Sequence, residues 1–280
     1  MNKAVESPLN EQLHGLRRFV SVREWLRGIG RVFLLFCYHS GGITLLCWET
    51  LRVFLTTKLR WKATLDQMNK IGVQSLPLVF LTALFTGVVL ALQGAYQLRL
   101  FAAEQFTADL VSLSVTRELG PVLTAMVVAG RVGASIAAEL GTMRVTEQVD
   151  ALKALAVDPV RYLVVPRVVA AFVSLFLLTI YADIIGTLGG YLISVFKLDI
   201  SHHQYVMRSI KVLMVKDVIT GLVKGFVFGG IISLVGCYFG FKADGGAEGV
   251  GLATTLAVVT ALVMIIASDA LFTALFYFFT

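Results

Sequence analysis

The sequence is poor in charge and rich in uninterrupted apolar segments. Only 15% of its 280 residues are charged, whereas 57% are hydrophobic and the mean hydropathy is +0.82. Soluble globular domains typically have about a quarter of their residues charged, so this composition excludes an ordinary soluble domain. The apolar residues form long runs instead of short alternating segments, which favours spanning helices over a β-barrel. The sequence therefore predicts an all-α integral membrane protein.

The sequence also lacks the common motifs of catalysis and metal binding. It contains no HExxH, GxSxG or CxxC, and Cys37, Cys47 and Cys237 each stand alone in apolar surroundings. We interpret these cysteines as packing residues, and the adjacent His202 and His203 as solvated loop residues. Without a GxxxxGK[ST] phosphate loop, any ATP and Mg must be bound by another chain. We therefore expect no enzyme activity, metal or cofactor on this chain.

Five apolar stretches are long enough to cross a bilayer, which takes a helix of about 20 residues. The first stretch, from Ile71 to Leu98, contains no Asp, Glu, Lys or Arg. The predicted spans cover 71–98, 108–139, 164–196, 214–241 and 252–279. They form a predicted five-helix domain over 61–280, which follows a cytoplasmic tail over 1–20 and a distinct region over 21–60.

The region 21–60 is predicted to contain an amphipathic helix. Arg23, Arg27 and Arg31 recur every four residues among apolar residues, which is typical of a helix lying in the membrane interface. The uncharged stretch 32–48 is alternatively a sixth span, but the basic residues on both of its flanks favour the interface. Since no apolar segment precedes these arginines, we expect insertion through internal spans instead of a cleavable signal peptide.

The basic residues predict the orientation of the chain. Lys and Arg are concentrated before the first predicted span and in the connection between the second and third. The positive-inside rule then places the amino terminus in the cytoplasm and the carboxyl terminus outside. We attribute the formal net charge of +6 to this topology and to anionic lipid head groups, and not to nucleic acid binding.

Several charged residues fall within the predicted spans, among them Arg117, Glu118, Asp183, Lys224 and Asp269. Each costs about 2.5–3.5 kcal/mol at the bilayer centre, even on the lenient insertion scale. Some of them either pair between helices, as Arg117 with Glu118 or Lys224 with Asp269, or line a polar cavity. In a cavity, Arg117 and Lys224 would bind the phosphate of an anionic head group while acyl chains follow the apolar walls.

Small residues recur every four positions in two predicted spans. They are Ala125, Ala129, Gly133, Ala137 and Gly141 in the second, and Gly221, Gly225, Gly229 and Ser233 in the fourth. Such stripes allow the backbones of two helices to approach closely. The pattern fits either packing within one bundle or contact between two subunits.

The connection between the second and third spans is predicted to contain a short cytoplasmic helix at about 146–156. Thr146 can cap this helix, and Val149, Leu152 and Leu155 would share one of its faces. Such a helix is either a docking element for a soluble partner or an interfacial turn.

The segment from Arg117 to Arg167 reads RELGPVLTAMVVAGRVGASIAAELGTMRVTEQVDALKALAVDPVRYLVVPR. It closely resembles the signature of the MlaE-type permease family, which works with MCE-domain proteins to move phospholipids across the Gram-negative envelope. ALQG at 91–94 and SDALFTALF in the last span extend the resemblance. The resemblance implies a homodimer of five-span subunits in the inner membrane, bound to two ATPase subunits in the cytoplasm and to an MCE hexamer in the periplasm.

The resemblance also implies roles for particular residues. The lipid-binding charges would be Arg117, Glu118, Lys224 and Asp269, and the residues that couple the chain to its ATPase would be Glu147, Gln148, Asp150 and Leu152. The hypothesis is a phospholipid permease that contributes to outer-membrane lipid homeostasis.

Two alternatives belong to other functional classes. A proton-coupled secondary transporter of an amphiphile would use Glu118, Asp183 and Asp269 as a proton relay. An intramembrane enzyme acting on lipids would need a nucleophile or base, for which the sequence offers no motif.

Overall fold

The structure is a computed structural model that describes residues 27, 30, 34, 35 and 37–279, and within them every regular element is helical. The chain divides into two compact units, Met1–Trp48 and Glu49–Thr280. Helix α1 covers residues 37–56 and crosses this boundary. Arg23 and Arg31 of the predicted basic face lie outside the described residues. The interfacial location of this region, and the predicted boundaries at 20 and 60, therefore stay predictions.

Five continuous helical segments of the second unit are long and apolar enough to cross a membrane. They are Trp61–Arg99, Glu104–Val145, Val160–Phe196, Val215–Phe241 and Gly246–Phe276, and are called the first to fifth span. These segments match the five predicted spans, so the predicted fold class is confirmed. The chain is a multi-pass membrane protein.

The first span is longer than predicted because an amphipathic helix precedes its apolar part. It consists of α2 (Trp61–Ile71), a 3₁₀ turn (Val73–Ser75) and α3 (Leu76–Arg99). Helix α2 contains charged residues as well as the buried Thr64 and Ile71. A prediction from uncharged apolar stretches alone therefore left α2 out of the first span. Pro77 lies in the first turn of α3, where a backbone N–H has no acceptor within the helix. The missing N–H of proline therefore costs no hydrogen bond there.

Two π-helical segments interrupt the second span. Its elements are a 3₁₀ turn (Glu104–Phe106), α4 (Thr107–Ser114), a π segment (Val115–Leu119), α5 (Gly120–Val128), a π segment (Ala129–Gly133) and α6 (Ala134–Val145). A further π segment, Val160–Val164, opens the third span. Pro121 and Pro166 each follow a π segment closely. Since proline crowds the carbonyl four residues earlier, the wider π turn accommodates it.

The remaining helices complete the bundle. They are α7 (Gln148–Ala154), α8 (Val165–Phe196), α9 (His202–Val212), α10 (Val215–Phe241) and α11 (Gly246–Phe279). His202 and His203 begin α9, so the prediction that they lie in a loop is wrong. Their segment is amphipathic, with Tyr205 and Ser209 buried one turn apart, and the imidazole Nδ1 of His202 lies 2.8 Å from the Tyr191 hydroxyl.

The third span is the most buried of the five and contacts its neighbours through glycines. A Cβ atom at Gly87 of α3 would collide with the carbonyl of Gly186 in α8, so the two backbones touch there. The first and fifth spans bury a smaller share of their residues than the other three, and each has exposed apolar side chains along its length. Those exposed faces suit lipid tails or a second copy of the chain.

The small-residue stripe of the fourth span packs within the chain. A Cβ atom at Gly221 would collide with the carbonyl of Thr116 in the second span, and one at Gly225 with the side chain of Thr179 in the third. The structure thus uses this stripe for packing inside one bundle, which was the first of the two interpretations.

Candidate functional site

Three of the charges predicted within the spans meet in one cluster. The ammonium of Lys224 lies 2.5 Å from Oε2 of Glu118 and 2.8 Å from Oδ1 of Asp269. It also donates to the hydroxyl of Thr273 at 2.8 Å, and that hydroxyl donates to Oε1 of Glu118 at 3.1 Å. The Lys224 cluster, defined by these four residues, joins the second, fourth and fifth spans.

The burial of the Lys224 cluster decides which of its groups a ligand meets first. The side chain of Lys224 is 0% exposed, while those of Glu118 and Asp269 are 39% and 23% exposed. An ammonium carries three protons; here Glu118 and Thr273 accept hydrogen bonds from it, and Asp269 forms an ion pair with it. The two carboxylates of the cluster are therefore more accessible than its cation, and the predicted role of Lys224 in binding a phosphate stays a prediction.

Local structure brings these side chains together. Glu118 lies in a π segment, the kind of helical irregularity that often occurs at functional sites. Lys224 stands between Gly221 and Gly225, at which the fourth span closely approaches its neighbours. Asp269 and Thr273 are four residues apart and share a face of α11. The sequence analysis did not select Thr273, although its four-residue spacing from Asp269 could have identified it.

Arg117 lies outside the Lys224 cluster. Its Nε lies 3.6 Å from Oδ1 of Asp217, and its side chain is 49% exposed. Consecutive residues leave a helix in different directions, so Arg117 and Glu118 face different neighbours. Asp217 is buried at the start of α10, where its Oδ2 accepts a hydrogen bond from the backbone N–H of Met214 at 3.1 Å. Sequence reasoning missed Asp217, although it precedes Lys224 by two helical turns on the same face.

Asp183 lies at a second position, in the third span. A Cβ atom on Gly120 would collide with its Oδ1, and this oxygen has no hydrogen-bond partner among the described residues. Asp183 lines an apolar cavity of about 440 Å³ whose described lining also includes Tyr205 but no member of the Lys224 cluster. Burial raises the pKa of the Tyr205 phenol, which stays protonated and donates to the carbonyl of Thr187 at 3.2 Å.

The predicted cytoplasmic helix is α7, which is shorter than expected. It follows Glu147, whose φ of 61° lies in the left-handed region. Thr146 does not cap it, because α6 extends to Val145 and the Thr146 hydroxyl donates to the carbonyl of Thr142 at 2.8 Å. The helix thus begins at a sharp change of backbone direction after α6.

The predicted coupling residues are largely accessible on α7. Glu147, Gln148 and Asp150 are exposed and Leu152 is half-buried. Asp150 lies 2.5 Å from Nη1 of Arg144 and 3.1 Å from Nζ of Lys153.

These two contacts act on the charge of Asp150. The hydrogen bond from Lys153 and the nearby guanidinium of Arg144 hold the pKa of the Asp150 carboxyl below its ordinary value. The apolar face predicted for this helix is only partly formed, since Val149 is buried but Leu155 lies beyond the helix and is exposed.

No group of three or more His, Cys, Asp or Glu side chains in the described part of the chain could hold a metal ion. Cys237 is buried, as expected for a packing residue. Cys37 and Cys47 are exposed on α1, so the packing interpretation is wrong for these two. Helix α1 buries only Ile43 and Thr50 among its residues, so the two cysteine side chains lie at its surface.

Comparison with known proteins places these features in a family. The family model described as "Permease MlaE" matches residues 64–275, which include the second to fourth spans, nearly all of the first and fifth, the Lys224 cluster and α7. The chain belongs to the MlaE permease family. As an MlaE-family ABC transporter permease, it is the non-catalytic membrane component of a system whose ATP hydrolysis is carried out by an ATPase partner.

Individual relatives of the MlaE family cover most of the chain. A "Probable ABC transporter permease protein" of Rickettsia felis is 47% identical over 249 residues, 89% of this chain and 96% of the relative. The "Intermembrane phospholipid transport system permease protein MlaE" of Haemophilus influenzae is 38% identical over 75% of this chain and 81% of the relative. "Protein TRIGALACTOSYLDIACYLGLYCEROL 1, chloroplastic" of Arabidopsis thaliana is 35% identical over 86% of this chain and 69% of the relative.

Proposed function

We propose that this chain moves phospholipids between the inner membrane and a periplasmic MCE protein, and so contributes to outer-membrane lipid homeostasis. The observation that carries the proposal is the Lys224 cluster, an ionic site inside a largely apolar bundle. An amphiphile needs such a combination, with polar groups for its head and apolar walls for its tails. The name of the Haemophilus influenzae relative, a phospholipid transport permease, supports this cargo.

The exposed fractions of the charged side chains suggest separate roles for them in lipid binding. Arg117 is accessible and has a guanidinium fork suited to phosphate oxygens, so it would bind the phosphate. Glu118 and Asp269 would accept hydrogen bonds from an amine or hydroxyl of the head group. Lys224 would hold the two carboxylates together while the site is empty, and would become available to the lipid only if one carboxylate moves away.

The ATPase would act on the lipid through α7. In the proposed assembly, two copies of this chain bind two ATPase subunits, which hold ATP and Mg, and a periplasmic MCE hexamer. Glu147, Gln148, Asp150 and Leu152 would contact the ATPase. Closure of the ATPase subunits would displace α7 and, through α6, tilt the second span that carries Arg117 and Glu118.

The deciding experiment is ATP-driven transfer of labelled phosphatidylethanolamine and phosphatidylglycerol from proteoliposomes that contain the complete complex. Arg117→Gln should reduce the transfer rate about tenfold or more, because a charge-assisted hydrogen bond contributes about 1.5–3 kcal/mol. Arg99→Gln is the matched control, since Arg99 forms an exposed ion pair with Glu104. Transfer by Arg117→Gln at the control rate would remove the role assigned to Arg117.

One observation favours the proton-coupled alternative, namely the buried carboxyl of Asp183 with its unpartnered Oδ1. A carrier that used Asp183 as a proton relay would move its amphiphile without the ATPase and would stop when the proton gradient is dissipated. The same proteoliposomes distinguish the two mechanisms. Transfer that needs ATP and persists in the presence of a protonophore supports the ABC permease, whereas the reverse result supports the carrier.

A further inference from the structure

A polar cavity lies toward the opposite end of the second span from the Lys224 cluster. It has a volume of about 450 Å³ and lies between α2 and the part of the span that begins at Arg131. Its polar lining includes Gln67, Lys70, Gln74, Arg131, Ser135 and Glu139. Small-molecule sites typically measure about 300–1,000 Å³, so this cavity can hold a phosphate-bearing head group.

Arg131 is the principal cation of this cavity, and it forms no ion pair with any described carboxylate. Its Nε and Nη2 donate to the hydroxyl of Ser75 at 3.2 and 2.8 Å, and Nη2 also donates to the carbonyl of Lys70 at 2.5 Å. These bonds fix the guanidinium at the turn between α2 and α3, and none of them uses Nη1. A permanently charged, positioned donor group inside a span costs free energy unless an anion accompanies it.

The surroundings of Arg131 carry an excess of positive charge. Glu139 lies 3.4 Å from Nζ of Lys70 and 2.9 Å from Nη2 of Arg167. The side chain of Arg167 is only 5% exposed, so it neutralises Glu139 from the protein side. Lys70 and Arg131 are therefore left as the net charge of the cavity. An anionic ligand would compensate them.

We infer that this cavity binds the phosphate group of a phospholipid from the cytoplasmic leaflet. The fork of Arg131 and the mobile ammonium of Lys70 both match phosphate oxygens. Apolar Ile71, Val132 and Ile136 also line the cavity and provide a wall for the glycerol and acyl part. The identity of the lipid as transported cargo rests on the function proposed above.

The cavity and the Lys224 cluster lie at different depths. Arg131 is about 20 Å from Glu118 along the second span, at a rise of about 1.5 Å per residue. The hydrocarbon core of a bilayer is about 30 Å thick, so the two positions correspond to opposite leaflets. The cavity is thus the loading or release position on the side that carries α7, and the Lys224 cluster is the position on the far side.

Native mass spectrometry of the full-length chain, purified with its copurifying partners and titrated with phosphatidylglycerol, tests this site. Ser135→Asp introduces a carboxylate one helical turn from Arg131 and keeps the bonds between Arg131 and Ser75. Ser135→Asn is the neutral control of nearly the same shape. We expect the apparent Kd of one bound lipid to be about tenfold or more higher in Ser135→Asp than in Ser135→Asn.

A second pair of variants removes the cation itself. Arg131→Gln should weaken the same binding event, whereas Lys62→Gln, which removes an exposed charge from α2, should not. Dioleoylglycerol, which has no phosphate, should bind equally to all variants. Glycerol 3-phosphate tests whether the cavity binds a soluble phosphate ester instead of a lipid. If it binds with the same dependence on Arg131 and phosphatidylglycerol does not, the lipid assignment is wrong.

The outcomes separate this site from the proposed function. Equal phosphatidylglycerol binding by Ser135→Asp and Ser135→Asn would overturn the inference. It would not affect the proposal that lipid transport requires Arg117. Conversely, a chain that binds phosphatidylglycerol at this cavity but transfers no lipid in the complete complex would contradict the proposed function and leave the site intact.

Discussion

At the residue scale, the ammonium of Lys224 is the group on which the site depends most for its stability. It is fully buried and lies between Glu118 and Asp269, so these carboxylates would repel each other without it. Removing one partner of a buried ion pair typically costs about 3–5 kcal/mol. The two carboxylates are partly accessible to water, which places the expected cost near the lower end of that range.

Lys224→Gln should therefore lower the thermal unfolding midpoint of the purified chain. Lys216→Gln is the matched control, since Lys216 is exposed on the same helix. Adding Asp269→Asn to Lys224→Gln should restore part of the loss, because it removes one of the two repelling charges. Equal midpoints for Lys224→Gln and Lys216→Gln would contradict a structural role for this cation.

The residue scale also shows what could be predicted from the sequence. The cost of charge in a bilayer was enough to select Glu118, Lys224 and Asp269, because most other charged residues of the predicted spans lie near a span end. Asp217 and Thr273 were not selected, since one lies at a predicted span boundary and the other is uncharged. Which carboxylate meets which cation depends on helix rotation, and the π segments shift that rotation in a way that hydropathy does not record.

At the element scale, the spans are held together largely by glycines at backbone contacts. Hydrophobic length predicted five helices, and their observed limits differ mainly where amphipathic segments such as α2 extend them. The choice of neighbours did not follow from length. It depends on positions such as Gly87, where α3 and α8 touch.

Gly87→Ala should destabilise the chain, because its new Cβ would collide with the rigid carbonyl of Gly186. Overpacking of this kind typically costs about 1–3 kcal/mol. Gly251→Ala, for which the structure shows open space, should be neutral or stabilise α11 by about 0.5–1 kcal/mol. Thermal unfolding in detergent compares the two, and a smaller loss for Gly87→Ala than for Gly251→Ala would be inconsistent with the described contact.

The backbone at the start of α7 offers a test of coupling. Glu147 adopts a left-handed conformation that costs a non-glycine residue about 1–2 kcal/mol. Glu147→Gly should therefore keep or raise the unfolding midpoint, yet lower the ATPase activity of the assembled complex if the carboxylate contacts the ATPase. Glu147→Asn, which tolerates the same conformation, should show the same loss of ATPase activity. Unchanged activity in both variants would exclude Glu147 from coupling.

At the scale of the whole molecule, the distribution of basic residues and the odd number of spans predict that the ends of the five-span unit lie on opposite sides of the membrane. Phe101, between the first and second spans, and Leu155, after α7, are both highly exposed. They make suitable positions for reporting the two sides.

A cysteine introduced at either position, in a chain with Cys37 and Cys47 replaced by serine and the buried Cys237 kept, should react with a membrane-impermeant maleimide, the two positions from opposite sides. Phe101→Cys should be labelled in right-side-out spheroplasts, and Leu155→Cys only in inverted vesicles. Labelling of both positions from the same side would show that the assignment of loops to the two faces is wrong.

Glu118 and Arg131 lie in the two π segments of the second span, and the spacing between them limits how the length of this span can vary within the family. Each residue of a helix turns the chain by about 100°, so losing one residue between Glu118 and Arg131 would rotate one site relative to the other. Side chains along this segment can change individually without disturbing that relation, whereas a change of length cannot. In the proposed transport, the distance in residue number between the two sites would therefore act as a fixed spacer between the position that receives a lipid and the position that passes it on.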